Sequence, residues 1–414
     1  MRGRWSKVAG AGLLAAGIAA AAVTWSASGD TASARTGATA ATAATTTAAP
    51  ARAAAAARPA DATTLSLRMP RAYTPQRVNG STDDYRCFVL DPKLDRDVFV
   101  TSAKIIPGQP ALVHHVILFK QSGASAAAAA AKDKETQGKG WTCFGGPGVG
   151  AANASGSGPD DEPGGAPWLS AWVPGRTTDA YPEGIGVLLP KGSRIVMQVH
   201  YNLLNGVRPD RSAVELEVRP ADSGLEPLRT LLLAAPVELP CPDGAAAAAS
   251  AQCQRGTVLA ETTIKYGIEQ AFVPTVLLRI CGKTLNAYPP RRGDASDLRT
   301  TCDQQLRTGV TVRGVAGHMH LRGRDIRLTL IRASGDEETL LHIPGWDFHW
   351  QDVYYLQKPI TAAPGDSLRV SCIHDNSPAA QPVVGGKPQA PRYVIWGEGT
   401  NDEMCLGVVL VTDR

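Results

Sequence analysis

The chain contains no Cys-x-x-Cys, no Gly-x-Ser-x-Gly and no His-Glu-x-x-His. The first absence removes thiolate zinc sites and thioredoxin chemistry. The other two leave a hydrolase without its nucleophile elbow or its zinc-protease helix. There is no block of like charge: the formal net charge is +4, from 42 Lys and Arg against 38 Asp and Glu. The arginines are scattered and aromatics do not interleave with them, so no nucleic-acid partner is expected. No acidic calcium loop occurs. Beyond the N-terminal region no apolar run is long enough to span a bilayer. Neither a long amphipathic helix nor a strong internal repeat is evident.

The first 34 residues have the plan of a secretory signal. Arg2, Arg4 and Lys7 precede an apolar stretch from Val8 to Trp25, and Ala27-Ser28 or Ala32-Ser33-Ala34 supplies a small-residue cleavage site. Cleavage is the favoured expectation; uncleaved, the segment is a single membrane anchor. Residues 35–64 are almost all Ala, Thr, Arg and Pro, a linker without core-forming residues. Two shorter poly-alanine runs, at 126–131 and 245–249, are expected as loop insertions. Eight cysteines, Cys87, Cys143, Cys241, Cys253, Cys281, Cys302, Cys372 and Cys405, lie beyond the linker. An even number in an exported chain implies disulfides, though not which ones. The expected location is secreted or extracellular.

The remainder is rich in short apolar runs bounded by Gly, Pro and Asp. They include Ala111 to Phe119, Ile185 to Leu189, Ile195 to Tyr201, Val214 to Val218, Thr230 to Leu239, Val276 to Ile280, Gly309 to Val315, Ile326 to Ile331, Ser367 to Ile373 and Leu406 to Val411. Several alternate at period two, so an all-β fold of sandwiches is expected. The polar stretch Arg219-Pro220-Ala221-Asp222-Ser223-Gly224 marks a boundary, giving domains at residues 65–221 and 222–414.

Histidine is scarce, eight residues in all, yet five fall in three short motifs: His114-His115, His200 and His318-Met319-His320. Strand side chains alternate, so His318 and His320 share one face. Two imidazoles side by side on an apolar strand cost desolvation unless something binds them, which points to a metal. Met319 falls on the opposite face, as packing. His114 and His115 are adjacent and on a regular strand face opposite ways. They hold one ion together only if a bulge, twist or strand end turns them, and spacing alone leaves both readings open. A lone His200 is ordinarily a hydrogen-bonded core residue.

These motifs, in order, carry a family resemblance. Asp84-Tyr85-Arg86-Cys87, His114-His115-Val116-Ile117-Leu118-Phe119 and Gln198-Val199-His200-Tyr201 are followed by Gly317-His318-Met319-His320 and Cys372-Ile373-His374-Asp375-Asn376-Ser377. Gly397-Glu398-Gly399-Thr400-Asn401-Asp402-Glu403-Met404-Cys405 closes the set. Over about residues 65–414 the chain resembles the copper type II, ascorbate-dependent monooxygenases, the group of peptidylglycine α-hydroxylating monooxygenase and dopamine β-monooxygenase. The resemblance implies two jelly-roll-like β-sandwich domains in tandem and two coppers per chain. His114, His115 and His200 would hold one; His318, His320 and Met404 would hold the other, catalytic one. A thioether ligand suits Cu(I). It implies Cys87–Cys143 and Cys372–Cys405 bridges; nearest-neighbour economy adds Cys281–Cys302 and Cys241–Cys253.

The implied activity is C–H hydroxylation of a small organic substrate with O2, with electrons taken singly from ascorbate or another one-electron donor. The alternative is a secreted copper-binding or electron-transfer protein without turnover. Gln198 shares the face of His200 and either orients water or substrate or is a surface or structural glutamine. Glu398, Asp402 and Glu403 are candidates for meeting a substrate ammonium. Where the peptide-amidating branch has an arginine two residues before the His-x-His, this chain has Ala316, with Arg313 farther upstream. Trp346-Asp347-Phe348-His349-Trp350 is expected as core. His342, His349 and His374 receive no role, and the oligomeric state is left open.

Overall fold

Period-two alternation between turn-forming residues folds as strands over much of the described part of the chain. The computed structural model describes residues 61–77, 82–149, 165–174, 179–204, 206–244, 249–288, 295–384 and 387–414. The signal segment, nearly all of the linker and most of the second poly-alanine run lie outside the described residues. The longer elements of the first half are β1 (Thr63–Arg68), β2 (Asp83–Leu90), β3 (Val98–Ile106), β4 (Val113–Gln121), α1 (Gly123–Glu135), β5 (Trp168–Trp172), β6 (Ile185–Leu189), β7 (Arg194–Asn202) and β8 (Ala213–Pro220). The second half has β9 (Arg229–Ala234), α2 (Arg255–Tyr266), α3 (Ile268–Ile280), β10 (Leu298–Gln305), β11 (Val310–His318), β12 (Gly323–Ile331), β13 (Glu337–Pro344), β14 (Tyr354–Ala362), β15 (Ser367–His374) and β16 (Leu406–Asp413). The protein is mainly β with several antiparallel sheets.

Four sheets carry the architecture, with strand orders β1-β8-β3-β6, β2-β7-β4-β5, β14-β11-β16-β9 and β10-β15-β12-β13, plus short edge strands. One core gathers Val100 of β3, Val187 of β6 and Leu216 of β8 with Phe88 of β2, Val116 of β4 and Val199 of β7. A second gathers Leu233 of β9, Val312 of β11 and Val409 of β16 with Ile326 of β12 and Val370 of β15. β16 serves both: Val408 and Leu410 pack into the first core, Val409 and Val411 into the second. A strand covered on both faces has no polar face to alternate, hence the unbroken run Leu406 to Val411.

Three expectations are corrected. The linker does not extend to residue 64, because Thr63 and Thr64 already pair with Val218 and Glu217 of β8. The first poly-alanine run is not a loop insertion; it is helix α1. Alanine has the highest helix propensity, and Ala126 and Ala129 are buried under the helix. Val276 to Ile280 is not a strand but the last turn of α3, since a short apolar run does not by itself distinguish a strand from a packed helix. The eight cysteines form four disulfides, Cys87–Cys143, Cys241–Cys253, Cys281–Cys302 and Cys372–Cys405, the same partners as the expected set. Two of them bracket the α2–α3 hairpin, through Cys253 before it and Cys281 after it.

Candidate metal centre

The first centre begins with a misfit in β4. Val113 and Val116 both point into the first core, three positions apart where a regular strand would need an even spacing. The ladder resolves this with a bulge: His200 of β7 pairs with His115, and the next residue, Tyr201, pairs with Val113. His114 is the extra residue, and the bulge turns both histidines to the face away from the core. His200 alternates to that same face between the core residues Val199 and Tyr201.

The three imidazoles converge. His115 Nδ1 lies 3.4 Å from His114 Nδ1 and 3.4 Å from His200 Nδ1. Among the described residues this is the one group of three His, Cys, Asp or Glu whose ligand atoms all lie within 4.8 Å of one another. His200 Nε2 lies 2.8 Å from Asp83 Oδ1. A carboxylate only accepts, so the ring proton sits on Nε2 and the Nδ1 lone pair faces the other two rings. Thr400 Oγ1 also donates to Asp83 Oδ1, at 2.7 Å, and Thr82 donates to Oδ2. Burial would raise the Asp83 carboxyl, but the bonds from His200, Thr400 and Thr82 prevail and hold it at about 2. Burial, and then the neighbouring His200, push His114 down to about 3 and His115 well below its ordinary value. Neutral rings with inward lone pairs are what a cation requires. Tyr85 stacks on His200 with centroids 4.0 Å apart and donates to the Glu398 carbonyl.

The second centre rests on β11 and the segment before β16. His318 pairs with Leu406. Val315 and Met319 enter the second core while Ala316 packs on the first, so His318 and His320 share the face opposite Met319. Their ring centroids are 5.1 Å apart. His318 Nδ1 meets Gln351 Oε1 at 2.7 Å, and Gln351 Nε2 donates to the Phe348 carbonyl. His320 Nδ1 donates to the Asp402 carbonyl at 3.0 Å. Both rings therefore keep their Nδ1 protons and present Nε2. Burial pushes both below the ordinary imidazole range, His320 farther because His318 adds to it.

Met404 is buried two residues before Leu406. Its segment is tied down by Glu403, whose carboxylate accepts from the backbone N–H of His320 (2.9 Å), Arg322 (2.6 Å) and Met404 (3.1 Å). Burial pushes the Glu403 carboxyl up to about 7 against the pull of those donors. Arg322, the largest fully buried side chain, reaches Asn376, the Asn401 carbonyl and Gln381. The His374 ring donates to the Met404 carbonyl at 3.2 Å. Phe348 joins the two centres: it stacks on His114 at 5.1 Å and meets His320 edge-on at 6.0 Å.

Several side chains stand elsewhere than expected. Of its two readings Gln198 takes the structural one: it is buried and donates to the Cys143 and Gly146 carbonyls. Arg313 is committed to Glu226 and Thr412. Glu403 is structural rather than a partner for a substrate ammonium. Within Trp346 to Trp350 the core expectation holds for Trp346 alone: Phe348 is half-buried between the centres, and His349 and Trp350 are exposed. His342 pairs with Asp325 on the surface. Asp83 and Gln351 were not singled out from the sequence, and Thr400 and Phe348 entered it only within longer motifs, because their roles arise from contacts between distant segments. Only the Asp-Asp-Tyr run next to Cys87 offered a hint of Asp83.

Residues 277–410 match the copper type II ascorbate-dependent monooxygenase, C-terminal domain; this stretch contains His318, His320 and Met404. DBH-like monooxygenase protein 1 of Homo sapiens is 30% identical over 117 residues, 28% of this chain and 17% of that protein. Dopamine beta-hydroxylase of Equus caballus is 26% identical over 106 residues, 25% of this chain and 17% of that protein. The matched stretch thus spans about a sixth of these relatives. Among solved structures, a fucolectin from Morone saxatilis serum aligns over 81% of this chain and 84% of its own at 9% identity, with a TM-score of 0.17. A likeness that low carries no argument.

Proposed function

We propose, from the match of residues 277–410 to the copper type II ascorbate-dependent monooxygenase C-terminal domain, that this chain hydroxylates a C–H bond of a small organic substrate with O2 and a one-electron reductant such as ascorbate. His114, His115 and His200 would hold one copper, and His318, His320 and Met404 the other. The observation that carries this reading is the set of three inward-facing imidazoles beside a His-x-His pair, with burial lowering His114, His115, His318 and His320. Imidazole alone also suits zinc, whereas the Met404 thioether favours Cu(I). Copper held at the two sites would supply one-electron redox chemistry and reactivity toward O2.

The protein's own residues do the rest. Asp83 fixes the His200 tautomer, Gln351 and the Asp402 carbonyl fix those of His318 and His320, and Glu403 holds the Met404 segment against His320 and Arg322. Leu406, paired with His318, gives the second centre an apolar neighbour, suited to an uncharged C–H group. The two centres would sit on two jelly-roll-like sandwiches, residues 65–221 and 222–414. Four disulfides and the family point to the secretory pathway, with the product secreted or held by its N-terminal segment.

The test is copper stoichiometry and Cu(I) affinity in wild type, His200→Ala and Met404→Ala. Wild type should bind two coppers and His200→Ala one. Met404→Ala should keep two Cu(II) but hold Cu(I) more weakly, by roughly tenfold or more. A single zinc, or copper binding indifferent to both residues, would overturn the assignment. Two coppers that slowly oxidise ascorbate without hydroxylating any substrate would favour the electron-transfer alternative.

A further inference from the structure

Helix α3 is apolar nearly all the way round. Pro274, Leu277 and Leu278 are buried against the body. Helices of that composition are normally enclosed, yet one face of this one is open. Ile268 is 59% exposed, Phe272 58%, Val276 43% and Ile280 61%. Spaced four residues apart, they form one continuous i+4 ridge. Ile264, at the end of α2, is also 70% exposed. These five side chains present on the order of 500 Å2 of apolar surface, near the upper end of what a monomer shows. The disulfides through Cys253 and Cys281 bracket the hairpin, so the ridge is held in place rather than free to fold back.

The ridge is also palindromic. About the level of Pro274, Ile268 mirrors Ile280, Phe272 mirrors Val276, and the exposed Glu269 mirrors the exposed Arg279. Two antiparallel copies related by a two-fold axis at that level would set Phe272 against Val276 of the other copy and Ile268 against its Ile280. They would also place Glu269 opposite Arg279 twice. A two-fold interface requires a patch complementary to itself, and a ridge of this spacing fits the matching groove of a second helix.

We infer that α3 is a homodimer interface, its occupant a second copy of this chain packed antiparallel on the same helix. The surface is smaller than the roughly 800 Å2 per partner of a standard interface, so the dimer forms in the micromolar range. Sedimentation equilibrium on the full chain, from about 0.5 to 100 μM, reads it.

Wild type should shift from monomer to dimer across that range. Phe272→Glu should weaken the dimer by roughly thirtyfold or more, by loss of a central aromatic and burial of a charge. Glu269→Arg and Arg279→Glu should each weaken it by roughly tenfold, and the double variant, which restores opposite charges across the axis, should recover it. All three positions are on the solvent face, so the variants should keep the wild-type melting temperature. A monomer at every concentration, or self-association unchanged by Phe272→Glu, overturns the proposal. So does a chain that stays monomeric but binds lipid vesicles through Phe272. Failure of the double variant to recover removes the antiparallel arrangement. None of these readouts depends on metal, so they separate this interface from the copper assignment.

Discussion

Asp83 shows what a single residue does at the first centre. Its carboxylate accepts from His200 and Thr400, residues that lie 117 and 317 positions away in sequence, and so fixes the His200 tautomer from outside the three-histidine cluster. Such partners typically account for 10–100-fold in metal affinity. Asp83→Ala should therefore weaken copper at the first centre by roughly tenfold or more while the second titrates as in wild type. Competition with a chromophoric chelator, resolving two binding steps, measures this; equal loss at both steps would mean that Asp83 acts on the fold instead. The residue types were legible in the sequence, the histidines from their clustering and Met404 from the family motif. Asp83 was not, because hydrogen bonding across more than a hundred residues leaves no local pattern.

Strand and helix behaviour follows from what covers each face. The bulge in β4 lets two adjacent histidines share a side, a question that spacing alone left open and the ladder register answers. β16 is apolar throughout because two cores claim its alternate residues. Its Gly407 sits where strands crowd: an added Cβ would lie 2.3 Å from Leu328 Cδ2 and 3.4 Å from Leu233 Cβ. Gly407→Ala should cost about 1–3 kcal/mol through overpacking, read as a lowered urea midpoint with unchanged slope. An unchanged midpoint would show that Leu328 yields freely. The misread elements, α1 and the end of α3, are those whose composition fits two structures. An alanine run folds as helix when it finds a surface to cover, and a short apolar run takes the form of its neighbours.

The whole molecule encloses many ionisable groups, and the balance among them sets its response to pH. His114 is held near 3 and His374 near 4, both chiefly by burial, and burial also lowers His115, His318 and His320. Each of these histidines takes up a proton in the unfolded chain below about pH 6.5 and less readily in the folded one. The stability of the folded state is therefore present above that pH and falls on acidification toward pH 4. Glu398 and Glu403, raised to about 7, and Asp402, raised to about 6, act in the opposite sense, losing stability as pH rises from about 4.5. Five histidines outweigh three carboxyls, so metal-free protein should be less stable at pH 5 than at pH 7, by a few kcal/mol at most. Urea unfolding at the two pH values after chelation tests the sign; equal or greater stability at pH 5 would contradict it.

The sequence by itself determined which residues could serve as ligands and where most strands run, because side-chain chemistry and period-two alternation are properties of neighbouring residues. It also carried the resemblance to the copper monooxygenases, whose C-terminal domain matches residues 277–410. Only the tertiary structure decided that His114 and His115 face one way, that Asp83, Gln351 and Asp402 orient the rings, and that α3 is a helix with an open apolar ridge. Those facts depend on register, on contacts between distant segments and on which faces the rest of the chain leaves uncovered, and they exist only once the chain has closed on itself.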